Sequence, residues 1–138
     1  MFWDDIIFKH PEQLANIPKE AVLMQCGYEA EHHFEKNCQM IKEKGLKFYV
    51  CPGTSMWNSI TGRSNNALVN ITSAAECGAY YGAEGFLPTE WGDDGHQQCP
   101  FVSYLPFCRG KHISRYNKAL HKRTLVLAAC IKRRAAEK

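Results

Sequence analysis

No stretch of this sequence approaches the roughly 18 consecutive apolar residues of a membrane-spanning helix. The start, Met1-Phe2-Trp3-Asp4-Asp5, is charged and aromatic and lacks the pattern of a secretory signal, so a soluble, cytoplasmic chain is expected. Also missing is any Cys-x-x-Cys pair. Cys26, Cys38, Cys51, Cys77, Cys99, Cys108 and Cys130 form an odd, scattered set of seven, which implies free thiols in a reducing compartment rather than a disulfide framework. The same spacing argues against zinc, and neither a metal nor a cofactor is expected. Acids are scarce towards the end. Seven basic and 13 acidic residues precede Arg109, a balance of −6, whereas ten basic and one acidic residue follow from there, a balance of +9. A basic tail can serve nucleic acid or an acidic membrane surface. Here Ile113, Tyr116, Leu120, Leu127 and Ile131 are interspersed with the charges, which favours the solvated face of a helix. The tail has one tyrosine and no glycine-rich motif, so neither a nucleic-acid nor a membrane partner is expected.

What is present suits one folded domain: 138 residues with 45% hydrophobic content. Four strand-like runs are read at residues 1–7, 21–26, 46–51 and 83–87, the last three bounded by glycine or proline. The first reads as only the carboxyl end of a strand, since Trp3-Asp4-Asp5 already looks like a ligand loop. Proline followed by acid at His10-Pro11-Glu12 predicts a short helix. Phe34, Cys38 and Ile41 share one face of a predicted helix over residues 32–44, which Gly45 caps. Leu68, Ile71 and Ala75 do the same for a helix over 66–81, which Gly82 closes. Strand, loop, helix, glycine, strand is a repeating βα unit, and it predicts an α/β fold. Four such units amount to half of a (β/α)8 barrel, which takes about 250 residues. The expected organisation is a half-barrel over residues 1–110 and a basic helical tail over 111–138.

The stretch from Gly85 to Phe101 organises the functional reading. An apolar run delivers Thr89, Glu90 and Trp91 into a glycine-bounded loop with Asp93, Asp94 and His96. Ligands in parallel α/β proteins sit beyond the carboxyl ends of strands. All three tryptophans, Trp3, Trp57 and Trp91, fall at such ends, and Tyr28 takes the matching place after the second run. Rings with Asp4, Asp5, Glu29, Asn58 and Asp93 beside them are what a sugar site needs: faces for C–H surfaces and acceptors for hydroxyls. Large aromatics capping a barrel mouth or a dimer contact would give the same pattern.

Several motifs together carry a resemblance. Trp3-Asp4-Asp5, Gly27-Tyr28-Glu29, the run from Phe48 to Ser59, Gly62-Arg63 and the run from Thr89 to His96 resemble family 20 glycoside hydrolases, the β-N-acetylhexosaminidases built on a (β/α)8 barrel. The match covers roughly residues 1–108 and corresponds to the last four βα units. It implies a ligand carrying terminal β-linked N-acetylhexosamine, and hydrolysis in which the substrate's acetamido oxygen is the nucleophile. It also implies roles. Trp3 and Trp57 would wall the acetamido pocket, and the supporting residue Tyr28 would hold the acetamido carbonyl. Trp91 would stack under the ring and Asp93 would bind outer hydroxyls, with Asp4, Glu29, Asn58 and His96 as further contacts.

The sequence departs from that family at its chemistry. The Asp-Glu pair that orients the acetamido group and supplies the acid is absent, and Cys26 stands where tryptophan is expected. No catalytic residue is therefore assigned. Two functional classes remain: an enzyme in a completed barrel, or a carbohydrate-binding or purely structural half-barrel. An acid with a raised pKa facing the tryptophans would favour the first. Open strand edges predict self-association as a homodimer, or pairing with a missing amino-terminal half.

Overall fold

A computed structural model describes residues 1–93, 97, 99–116 and 128–130. Its strands are β1 (Phe2–Trp3), β2 (Val22–Gly27), β3 (Lys47–Pro52), β4 (Gly85–Phe86), β5 (Thr89–Trp91) and β6 (Ala128–Cys130). β1 to β4 pair in chain order and always in parallel, through Trp3↔Met24, Cys26↔Cys51 and Val50↔Phe86. Parallel neighbours need a crossover, and helices α1 (Phe34–Glu43) and α2 (Ser64–Tyr81) supply it on either side of β3. The chain is an α/β protein.

β5 and β6 are also parallel, with Thr89 opposite Ala128 and Trp91 opposite Cys130. The offset that pairs Val50 with Phe86 recurs where Gly53 meets Thr89. β4 and β5 are thus two parts of one strand, interrupted at Leu87-Pro88, where proline lacks the N–H that a ladder needs. The described sheet positions number five, one more than the four read from the sequence. The extra one comes from the tail. Residues 128–130 form a strand where a helical tail is expected, because the short apolar run from Leu125 to Ile131 fits a buried strand as well as a helix face. Helix α3 (Tyr104–Tyr116) begins ahead of that tail, and residues 117–127 and 131–138 lie outside the described ones.

Other bounds differ by less. The first strand keeps only Phe2–Trp3, because the chain turns at once, with the Phe8 N–H donating to the Asp4 carbonyl at 3.2 Å. The short helix expected after His10 is a 3-10 turn over Pro11–Asn16 with proline in its first turn. Gly45 and Gly82 hold φ of +62° and +84°, the left-handed conformation that ends the helices before them.

Alternating burial separates the two faces of the sheet. Leu23 and Gln25 of β2, Phe48 and Val50 of β3 and Phe86 of β4 are buried. They meet Phe34, Cys38 and Ile41 of α1 and Ile71, Ala74 and Ala75 of α2 in the core. The intervening Val22, Met24, Cys26 and Tyr49 stay partly exposed on the other face. Helices line one side of the sheet, α1 against α2 and α2 against α3. Among the described residues no helix is long and apolar enough to cross a membrane.

Gly78 marks the tightest approach of α2 to the sheet, since a Cβ there would lie 2.7 Å from Val50 Cγ2. Alanine at this helical position would gain about 1 kcal/mol in propensity. The added methyl has no room, and overpacking costs about 1–3 kcal/mol. Gly78→Ala is expected to lower the thermal midpoint by a few degrees; a rise would mean that α2 can lift from β3 freely.

Candidate functional site

Each strand end delivers one aromatic side chain. Trp3 closes β1, Tyr28 follows β2, Trp57 lies in the short turn Met56–Asn58 after β3, and Trp91 closes β5. The rings meet. Trp3 and Trp91 lie 5.2 Å apart between centroids, Trp91 and Tyr28 6.3 Å, and Tyr28 and Trp57 5.2 Å, all edge to face. Edge-to-face contacts set the positive rim of one ring on the negative face of the next, an arrangement worth about 0.5–1.5 kcal/mol per pair beyond burial. Gly53 makes the convergence possible, because a Cβ there would stand 2.5 Å from the Tyr28 ring and 2.8 Å from Trp57.

Polar side chains in the loops hold this frame. Asn70 on α2 accepts the Gly53 N–H at 3.1 Å and donates to the Glu29 carbonyl at 2.7 Å, joining the loops after β2 and β3. One turn earlier, Asn66 donates to the Tyr28 carbonyl at 2.7 Å and accepts the Ala30 N–H at 2.8 Å. Ser55, the one described non-glycine residue at positive φ (56°), donates its hydroxyl to the Tyr28 carbonyl at 2.7 Å. Thr54 donates to the buried Glu90 carboxylate, linking the β3 loop to β5.

Asp4 lies inside this frame at 1% exposure. Its Oδ1 accepts the Cys26 N–H at 3.0 Å and the Cys26 thiol at 3.5 Å, while Oδ2 has no hydrogen-bond partner among the described residues. Burial disfavours the charged carboxylate and raises Asp4 to about 7, although the bonds from Cys26 oppose the shift. Burial likewise pushes the Cys26 thiol up to about 12, and it raises the Tyr28 hydroxyl as well. Both keep their protons at neutral pH.

The remaining expected site residues are arranged differently. Glu29 is exposed and held by Arg63 in a paired contact of 2.8 and 2.6 Å, and that guanidinium lowers its pKa. Asn58 and Asp93 are exposed, and His96 lies outside the described residues. Thr54, Ser55, Asn66 and Asn70 were not read as site residues. Asn70 left a trace in the sequence, a polar side chain on the stripe that Ala67, Ile71 and Ala74 bury. A separate cavity of about 790 Å³ opens between α2 and α3, lined by residues such as Leu68, Val69, Leu105 and Cys108, none of them in the ring cluster. Among the described residues no three His, Cys, Asp or Glu side chains are grouped to hold a metal ion.

Comparison with known proteins finds no family model, no curated protein and no solved structure that matches this chain.

Asn70→Ala strands the Gly53 N–H and the Glu29 carbonyl, and a loss of about 2 kcal/mol is expected in urea unfolding. A loss below about 0.5 kcal/mol would mean that water replaces the clamp. Asp4 makes stability depend on pH. The unfolded carboxyl titrates at 3.8 and the folded one at about 7, so the native state binds the extra proton between those values. Stability from this group is full below the lower value and is lost as pH rises to the upper one. The stability advantage of Asp4→Asn over the parent should therefore grow from about pH 4 to about pH 7 and then level off. An advantage independent of pH would refute the raised carboxyl.

Proposed function

We propose that the ring cluster is the N-acetylhexosamine-binding face of a half-barrel of the family 20 β-N-acetylhexosaminidase type, binding its ligand without hydrolysing it. The observation that carries this reading is the meeting of Trp3, Tyr28, Trp57 and Trp91 from four strand ends in one edge-to-face chain. Sugar rings present C–H faces that stack on indoles, and an acetamido group needs one hydrogen-bond donor in an otherwise apolar slot. In this reading Trp3 and Trp57 flank the acetamido group and Tyr28 meets its carbonyl. Trp91 stacks on the pyranose and the exposed Asp93 takes hydroxyls.

Binding is preferred to hydrolysis because of what has become of the acids. A general acid must come within hydrogen-bond reach of the glycosidic oxygen. Asp4 has the raised pKa that such a role requires, yet it is 1% exposed and bonded to Cys26. Glu90 is buried against Thr54, and Glu29 is occupied by Arg63. The sequence has no Asp-Glu pair to replace them.

The partly exposed sheet face with Met24 and Tyr49 supports association with a second copy or with a separate half-barrel. The strand count weighs on that choice. An eight-stranded barrel has room for three strands beside the five described positions, fewer than a second copy carries.

Titration with N-acetylglucosamine, followed by saturation-transfer NMR, tests the site. Trp57→Ala and Trp91→Ala are each expected to weaken binding at least about tenfold while the far-ultraviolet circular dichroism is kept. Undiminished binding in both variants would remove the site assignment. Turnover of an aryl N-acetyl-β-glucosaminide, abolished by the same substitutions, would establish the enzyme instead.

A further inference from the structure

Serine is an unusual residue for the place that Ser55 holds. Its φ of 56° and ψ of 16° are left-handed, a conformation that glycine adopts freely and a residue with a Cβ avoids. It is also fully buried. Strain that persists in the interior is imposed by the surroundings, and it points to use. Two hydrogen bonds leave Ser55 in different directions. Its carbonyl accepts the Asn58 N–H at 3.3 Å, closing the turn that carries Trp57. Its hydroxyl donates to the Tyr28 carbonyl at 2.7 Å, across to the loop after β2. One residue thus holds two rings of the cluster, Trp57 through its backbone and Tyr28 through its side chain.

The neighbours of Ser55 keep it from relaxing. The Thr54 N–H donates to the Thr89 carbonyl at 3.0 Å, and its hydroxyl donates to the buried Glu90 carboxylate while accepting the Met56 N–H at 3.3 Å. Met56 is buried, and its sulfur accepts the Arg63 N–H at 2.9 Å. Asn66 gives the Tyr28 carbonyl a second donor at 2.7 Å, but its other bonds go to Ala30 and Arg63 rather than to the turn of Trp57. Of the two donors to that carbonyl, Ser55 is the one bonded to both loops.

We propose that Ser55 is a positioning residue that sets how far Trp57, a wall of the acyl slot, stands from the Tyr28 hydroxyl, and so decides which N-acyl group fits. The naming of that group as N-acetyl rests on the N-acetylhexosamine reading, whereas the coupling of Trp57 to Tyr28 through Ser55 does not. The two rings stand 5.2 Å apart, nearly perpendicular at 86°. A longer acyl chain has to push Trp57 away from Tyr28, and Ser55 resists because it is bonded towards both. One methylene in a fitted apolar slot discriminates by roughly 10- to 200-fold. Ser55 acts on the ligand only through Trp57 and Tyr28.

Three variants separate the two bonds. Ser55→Ala loses the hydroxyl and keeps a Cβ in the left-handed turn, Ser55→Gly loses the hydroxyl and the strain together, and Asn66→Ala loses the other donor to the Tyr28 carbonyl. NMR of the ligand-free chain reads the Trp57 indole N–H and the Tyr28 carbonyl carbon. Both should shift in Ser55→Ala, whereas in Ser55→Gly and in Asn66→Ala the carbonyl carbon should shift and the indole should stay near its parent position. With ligand present, the parent should prefer N-acetylglucosamine to N-propionylglucosamine by about tenfold. That preference should fall to about threefold in Ser55→Gly, vanish in Ser55→Ala and persist in Asn66→Ala. Should Ser55→Ala fail to fold, the Ser55→Gly values decide alone. Ser55 variants that lose stability yet keep the parent's resonances and acyl preference overturn the proposal. So does an Asn66→Ala chain in which Trp57 moves as far as in Ser55→Ala, or a parent that binds both sugars equally. Resonances that move as stated in a chain that binds neither sugar support the coupling and overturn the N-acetylhexosamine reading.

Discussion

Parallel pairing of β2 with β3, from Val22↔Lys47 to Gly27↔Pro52, is the constraint on which the rest of the described structure hangs. Both strands end at the same level, so the residues that leave them, Tyr28 on one side and Gly53 with Trp57 on the other, emerge side by side. β1 fastens to the outer edge of β2 through two residue pairs and brings Trp3 to the same end. β4 and β5 follow β3 in one register and bring Trp91. A one-residue slip of β3 would turn Phe48 and Val50 out of the helix-facing core, so apolar burial enforces the register that assembles the rings.

The helices do more than cover the sheet. α2 carries Ile71, Ala74 and Ala75 into the core, and on the same side Asn66 and Asn70 reach the loops that bear Tyr28 and Gly53. Apolar packing thus fixes where two carboxamides stand, and the carboxamides fix the loops. Polar groups buried in this way cost little, because donors and acceptors are matched. Asp4 Oδ2 and Gln25 Oε1 depart from that matching, with no partner among the described residues.

Much of this was legible in the chain itself. Glycine and proline bound the strands, so the aromatic residues just past them, Trp3, Tyr28, Trp57 and Trp91, stood out without any knowledge of distance. The helices were readable from Phe34, Cys38 and Ile41 and from Ile71 and Ala75. Partners remote in sequence were not. Glu29 looks like a ligand residue until Arg63, 34 positions on, is seen to hold it, and Thr54 lies 36 positions from Glu90. Cys26 reads as apolar filler in a strand, because nothing local says that the Asp4 carboxyl, just past β1, will meet its thiol. Ala128–Cys130 was read as helix because the short apolar run from Leu125 to Ile131 suits either a strand or a helix face.

The interlocked rings have a thermodynamic consequence. Each of Trp3, Tyr28, Trp57 and Trp91 is braced by another ring, and Gly53 lets Tyr28 and Trp57 close on the backbone. Their rotamer freedom is therefore surrendered when the chain folds, not when a ligand arrives. A surface stiffened in advance needs no closing motion, so association is governed by diffusion and orientation. Differences in affinity among ligands then reside in how fast each one leaves.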